Sequence, residues 1–221
     1  MYNITLICTG HTENGKCNST ELLNIIETLK PEVIFEELPV SIFNECYNEN
    51  MHDKLIEPKA IKQYKQRNEF VHIPVDTYIS SNSPCEDCGT ALSQIFKLDG
   101  EYYKALLEHY KLIEMYGFQY LNSEHSETCL EEILKKELII INRLYSKKLS
   151  NLYKLRIETD EKRENEMLNN IYKYSNNHKY NKALMFIGAL HRKSIIKKIK
   201  ERNDKEEQKL NWIFDGIKII L

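Results

Sequence analysis

The first 38 residues carry a strand–helix–strand pattern that constrains the fold more than any other part of the chain. The apolar, β-branched run at residues 4–8 leads within three residues to His11, which predicts a buried strand ending in a loop. A helix with an apolar stripe follows at residues 19–29, and a second apolar run at residues 33–35 leads to Glu37. So short a connection favours parallel strands joined by a right-handed crossover. We therefore expect His11 and Glu37 at the same carboxyl-terminal edge of one sheet, where open α/β sheets place their ligand sites.

Composition and charge bear on the class of protein. The 221 residues carry a formal net charge of −2, which gives no electrostatic case for a nucleic-acid partner or an anionic membrane surface. The basic run at residues 193–202 alternates with isoleucines and predicts a solvated helix face. No apolar run approaches the roughly 18 residues of a membrane span, and the first residues do not resemble an export signal. Six cysteines at irregular spacing then favour reduced thiols, so we expect a cytoplasmic protein without a membrane span.

Two further apolar runs end beside polar side chains that can do chemistry. Residues 70–75 alternate in polarity and lead to Asp76, and Pro74 predicts a strand near the edge of the sheet because proline lacks a ladder donor. Residues 183–187 form a late apolar run that is followed by His191.

The intervening segments differ in character. Residues 39–65 are rich in asparagine and include a polar helix, which predicts a connecting arm over the surface. Residues from about 99 to 175 are almost wholly helical in pattern, and residues 212–219 suggest a strand, a tight turn and a strand, or one bulged terminal strand. The predicted fold is one α/β domain over residues 1–221, with a mixed, largely parallel central sheet, flanking helices and a helical insertion at about 99–175.

One arginine lies on the apolar face of a predicted helix. Arg163 shares that face with Met167 and Ile171, at spacings of four residues. A buried guanidinium without a partner is costly, so Arg163 should reach solvent or meet a carboxylate or an anionic ligand. Glu37 and Asp76 are the candidate carboxylates.

If the four apolar runs are parallel neighbours, their polar residues converge at one edge. Two imidazoles and a carboxylate form a typical ligand set for a catalytic divalent metal, which lowers the pKa of its bound water to about 7. A spare carboxylate is then available as a general base, and Arg163 can stabilise an oxyanion. The structural alternatives stay open: strand-end histidines often bond only to backbone, Asp76 suits a turn cap, and Arg163 suits a structural ion pair.

Short motifs near both ends of the chain resemble the TraB/PrgY/GumN domain. Its superfamily includes the Tiki metalloproteases and, more distantly, erythromycin esterases and ChaN-like haem-binding lipoproteins. The segments that carry the resemblance are Gly10-His11, residues 30–38, residues 163–167 and residues 188–191. The family pattern has a Gly-x-x-His after the first strand, a Glu after the second, an Arg ahead of a Met on a late helix, and a second Gly-x-x-His. The matching positions are His11, Glu37, Arg163 and His191, and Asp76 resembles the acidic residue often found after a middle strand.

The resemblance implies a metal-dependent hydrolase that acts on a peptide or a small-molecule ester. In that hypothesis His11, Glu37 and His191 hold zinc, manganese, cobalt or iron, Asp76 orients a ligand or acts as base, and Arg163 stabilises anionic charge. Cys8 stands where the first motif has glycine, and a loop deformed by this difference would favour an alternative, a protein that binds haem or a peptide signal without turnover. A third hypothesis is an interaction protein that uses its helical insertion and holds no metal.

Cys85 and Cys88 form a single Cys-x-x-Cys motif. It could be half of a zinc site with Cys46, His52 or His72, or a redox pair. No second half stands at the usual spacing, so two loop thiols are the default interpretation.

Overall fold

A computed structural model describes residues 2–48, 55–77, 92–205 and 210–219, and a five-stranded sheet forms its centre. The strands are β1 (Asn3–Thr9), β2 (Val33–Pro39), β3 (Val71–Asp76), β4 (Lys182–Gly188) and β5 (Asn211–Ile213). Their order is β3-β2-β4-β1-β5, and the pairings between these five strands are all parallel. This confirms the predicted α/β class with a largely parallel sheet. β3 is an edge strand, as Pro74 predicted.

Helices cover both faces of the sheet and form the predicted insertion. They are α1 (Ser19–Leu29), α2 (Val40–Asn48), α3 (Ile56–Lys65), α4 (Gly100–Leu121), α5 (Glu124–Arg143), α6 (Lys147–Asn177) and α7 (Arg192–Asn203), with 3-10 turns at Ala189–His191 and Gly216–Ile219. α4 bends at Gly117, where φ is +53° and a Cβ would lie 2.5 Å from the Lys16 carbonyl oxygen, so only glycine fits. No helix in the described ranges is both long and apolar enough to cross a bilayer.

Two apolar layers sandwich the sheet. Ile4 and Leu6 of β1 pack on the side that holds Met167 of α6, whereas Ile7 faces the opposite side with Ile25 of α1. A third cluster fills the interior of the helical insertion. A parallel sheet buried on both faces explains why its strands read as continuous apolar runs.

Two segments differ from the sequence-based expectation. The described parts of residues 39–65 form α2 and α3; the expected helix is present as α3, but it is not a surface arm, because it buries six of its ten residues, among them Ile56, Glu57 and Ile61. After β5 the chain forms a 3-10 turn rather than a second strand, because Ile217 turns into the core beneath the sheet. Cys85, Cys88 and His52 lie outside the described residues.

Candidate functional site

Five side chains selected from the sequence lie together at the carboxyl-terminal edge of the sheet: His11, Glu37, Asp76, Arg163 and His191. Glu37 is at their centre. Its Oε1 lies 2.7 Å from Nη2 of Arg163 and 3.5 Å from Nε2 of His191. Its Oε2 lies 3.9 Å from Nε2 of His11 and accepts a 2.6 Å hydrogen bond from the Gly188 amide. The parallel strands therefore bring together the residues that follow them, as the sequence predicted.

The neighbouring Glu36 has a separate, structural role. Successive strand residues point to opposite faces of the sheet, so the Glu36 side chain points away from the site that contains the Glu37 side chain. One oxygen of the Glu36 carboxylate accepts hydrogen bonds from the Tyr47 hydroxyl and from Nε2 of His72, each at 2.8 Å. His72 is therefore engaged in a buried pair with Glu36. Cys46 is a buried free thiol.

Nδ1 of each histidine is hydrogen-bonded to a buried carboxylate. Nδ1 of His11 donates to Glu57 at 2.7 Å, and Nδ1 of His191 donates to Glu164 at 2.8 Å. Glu57 also accepts from the Thr9 hydroxyl, and Glu164 lies 3.1 Å from the Lys198 ammonium. With Nδ1 occupied, each imidazole presents Nε2 to the central carboxylate.

The backbone around His11 is fitted to this arrangement. His11 has φ of +59°, in the left-handed region that a residue with a side chain rarely adopts. A Cβ on Gly188 would lie 2.7 Å from Nε2 of His11, so the glycine of the second motif makes room for the histidine of the first. Cys8, which stands where the first motif has glycine, belongs to β1 and pairs in regular register with Ile187 of β4. The strand is therefore not deformed at that position.

Arg163 joins Glu37 to Asp76. Its Nη2 lies 2.7 Å from Asp76 Oδ2, its Nε donates to both oxygens of that carboxylate at 3.2 Å, and its Nη1 lies 3.3 Å from Asp160. The Asp76 carboxylate also accepts a hydrogen bond from the amide of Thr77 at 2.8 Å. In this arrangement Asp76 orients Arg163.

The site carries more negative than positive charge. The four carboxylates with buried side chains, those of Glu37, Glu57, Asp76 and Glu164, face the cations Arg163 and Lys198, which leaves two negative charges among these buried groups when the imidazoles are neutral. The partly exposed Asp160 beside Arg163 adds a third negative charge. Burial alone would lower the pKa of His11, but the hydrogen bond to Glu57 and the charges of Glu57 and Glu37 outweigh it and raise the pKa to about 9. The pKa of His191 is raised in the same way, against burial, by Glu164 and Glu37.

Two cavities border the site. A cavity of about 30 Å³ lies against His11, Glu37 and Glu57, and it is large enough for a water molecule. A cavity of about 400 Å³ opens beside His191 and Asp160. It shares five lining residues with a groove of about 850 Å³ along α7, namely Leu134, Leu190, Ser194, Lys197 and Glu201. The cavity of about 400 Å³ contacts His191 and Glu164 but not His11, Glu37 or Arg163.

Two carboxylates at the site were missed by the sequence analysis. Glu57 lies on α3, a segment whose polar composition hid its burial. Glu164 follows Arg163 and shares the buried helix face of Met167 and Leu168, at spacings of three and four residues. That spacing was the available signal for Glu164, whereas no local pattern indicates Glu57.

The donor chemistry of the site suits a metal ion, although the present side-chain positions do not form a closed ligand set. Among the described residues, no group of three or more His, Cys, Asp or Glu side chains is arranged to hold a metal. The Glu37 carboxylate instead contacts Arg163 and the Gly188 amide.

The chain was also compared with known proteins. No protein-family model, curated protein or solved structure matches it. A functional proposal therefore rests on the geometry of the site and on the motifs in the sequence.

Proposed function

We propose that this protein is a metal-dependent hydrolase of the TraB/Tiki type, with its site at the carboxyl-terminal edge of the sheet. His11, His191 and Glu37 are the ligands in this proposal. One observation carries it: two imidazoles present Nε2 to the same carboxylate while a buried carboxylate holds Nδ1 of each. Metal-binding histidines commonly have such a partner, which fixes the ring and increases its basicity.

The charge of the site supports a divalent cation. The two surplus negative charges lie among buried groups, where uncompensated charge is costly. A divalent ion would neutralise them in place of two imidazolium protons. Imidazole and carboxylate ligands together suit zinc, manganese, cobalt or iron, so the proposal includes all four.

Each residue then has a role that its contacts support. When bound, the ion would lower the pKa of a coordinated water to about 7. Glu37 has to turn from Arg163 and Gly188 to act as a ligand. Arg163 keeps its two-point contact with Asp76 and can hold anionic charge that develops on a substrate. Asp76 orients Arg163, and its alternative role as general base requires it to release that contact.

The cavity beside His191 supports a peptide or a small-molecule ester as substrate. It has a volume of about 400 Å³ and leads to the larger groove along α7. Its lining includes the charged side chains of Arg156, Asp160, Glu161, Lys197, Lys198 and Glu201. A flat apolar macrocycle fits such a lining poorly, so haem is the weaker of the proposed ligands.

A peptide-binding protein without turnover is the second candidate. It is favoured by the contacts of Glu37 with Arg163 and Gly188, because these would persist if no metal bound. We place either protein in the cytoplasm, supported by the free thiols of the described cysteines Cys8, Cys17, Cys46 and Cys129.

Metal content separates these functions. The purified chain is equilibrated with zinc, manganese, iron and cobalt, desalted, and examined by elemental analysis and visible absorption. The hydrolase proposal predicts close to one ion per chain, lost in His191→Ala and retained in the control His178→Ala, which changes an exposed histidine. A native chain without metal overturns the hydrolase proposal. In a separate sample to which haem is added, a strong visible band would favour haem binding.

A further inference from the structure

The helices α4, α5 and the start of α6 form an arm with its far end away from the candidate site. At the near end, Asn122 exchanges hydrogen bonds of 2.8 and 3.0 Å with the backbone of Cys8 in β1. At the far end, Arg143 donates to Asp99, the N-cap of α4, at 3.0 Å. The 20 residues of α5 run between these ends and span roughly 30 Å. We name residues 97–101 and 143–148 the arm tip.

The arm tip exposes three large apolar side chains. Tyr145 is 95 % exposed and Leu98 is 86 % exposed, more than any other large apolar side chain in the described residues, and Leu144 is 45 % exposed. Tyr145 also has φ of +47°, at the end of a helix where glycine is normally preferred. The chain therefore accepts backbone strain at the position where it presents an aromatic ring to solvent.

The charge of the arm tip is opposite to that of the whole chain. Its basic residues are Lys97, Arg143, Lys147 and Lys148, and all four are exposed. Its acidic residues are Asp99 and Glu101, of which Asp99 is held by Arg143 and by two amides of α4. Four cations against two carboxylates leave the arm tip positive, although the chain as a whole has a net charge of −2.

From this combination we propose that the arm tip binds the surface of an anionic lipid bilayer. Leu98 and Tyr145 enter the interfacial region, where tyrosine is favoured because its ring is apolar and its hydroxyl is polar. The four cations lie against the negative headgroups. The contact is peripheral and needs no helix that crosses the membrane.

The composition of the arm tip suits a bilayer better than a protein partner. Leu98, Leu144 and Tyr145 stand among the four exposed cations of the arm tip, and none of the three lines the cavities beside the candidate site. Lysine is depleted at protein interfaces relative to the rest of a protein surface. An anionic bilayer surface accommodates apolar side chains and cations together without a matching surface.

Vesicle sedimentation with the full chain tests this proposal. Sucrose-loaded vesicles of phosphatidylcholine alone are compared with vesicles that contain about 30 % phosphatidylserine, at salt concentrations of about 20 mM and about 500 mM. The apolar contact is removed in Leu98→Ser/Tyr145→Ser. The matched control is Leu107→Ser/Tyr110→Ser, which changes two half-exposed side chains in the middle of α4. Lys147→Ala/Lys148→Ala tests the charge.

We expect binding to the anionic vesicles at low salt, weaker binding at high salt and none to phosphatidylcholine alone. The double lysine variant should bind roughly 25-fold more weakly, at about fivefold per cation. The Leu98/Tyr145 variant should bind the anionic vesicles at least tenfold more weakly than the native chain, and the control should bind like the native chain. Absence of binding to anionic vesicles at low salt overturns the proposal, as does an equal loss in the control. Self-association in solution that disappears in the Leu98/Tyr145 variant would assign the arm tip to a second copy of the chain and would also overturn it.

Discussion

Arg163→Met is the substitution that most directly tests how the site is held together. The change removes the cation that contacts Asp76 at 2.7 and 3.2 Å and Glu37 at 2.7 Å. Both carboxylates are buried and would be left without this partner. Breaking a buried ion pair from one side typically costs about 3–5 kcal/mol. Because the Arg163 side chain is itself 19 % exposed, we expect the lower end, a loss of about 3 kcal/mol in the free energy of unfolding.

Urea denaturation at neutral pH measures this loss. The matched control is Arg143→Met, because Arg143 also pairs with a carboxylate at 3.0 Å but its side chain is 66 % exposed. That control should change the free energy of unfolding by less than about 1 kcal/mol. The double variant Arg163→Met/Asp76→Asn should recover part of the loss, because one of the stranded charges is then absent. If Arg163→Met matches Arg143→Met, the view of Arg163 as the cation that compensates two buried carboxylates is refuted.

Three further predictions concern the support of the histidines and a buried histidine elsewhere. Glu57→Gln should weaken metal binding by about 10- to 100-fold, measured by competition with a metal-sensitive dye; unchanged affinity would show that Glu57 does not support the site. Gly188→Ala should displace the His11 ring and abolish metal binding, whereas Gly10→Ala, whose Cβ would meet its nearest atom at 3.5 Å, should bind normally; equal affinities of the two would contradict the close approach at Gly188. Burial lowers the pKa of His109 to about 4, so between pH 6.5 and 4 the unfolded chain binds a proton that the native chain does not, and stability falls as the pH falls. We expect a loss of about 2 kcal/mol between pH 7.5 and pH 5 from this residue, and His109→Gln should lose that much less in urea titrations at the two pH values.

Local sequence patterns predicted which strands carry the residues of the site, because apolar runs and short connections between parallel strands are visible in the sequence. The runs that become β1, β2, β3 and β4 are continuous since both faces of the sheet are covered. Once they are parallel neighbours, His11 and His191 have to lie at one edge. Arg163 was found because a cation on an apolar helix face requires a partner, and Glu37 and Asp76 are that partner.

The support of the histidines depended on tertiary contacts that no local pattern records. Glu57 lies 46 residues from His11 in a segment of polar composition, and its buried carboxylate contacts Thr9 and His11. The role of Gly188 was hidden for the same reason, since the side chain that needs its space comes from the other end of the chain. The 3-10 turn after β5 was missed because Ile217 packs beneath the sheet instead of extending it.

Anomalous diffraction from crystals of the chain grown with zinc, at wavelengths on either side of the zinc absorption edge, would locate the proposed metal. We expect one anomalous peak at about 2.0–2.1 Å from Nε2 of both His11 and His191. The Glu37 carboxylate should have turned from Arg163 to lie at about 2.0–2.2 Å from the same peak. No peak at the carboxyl-terminal edge of the sheet, or a peak only at Cys85 and Cys88, would contradict the proposed metal site.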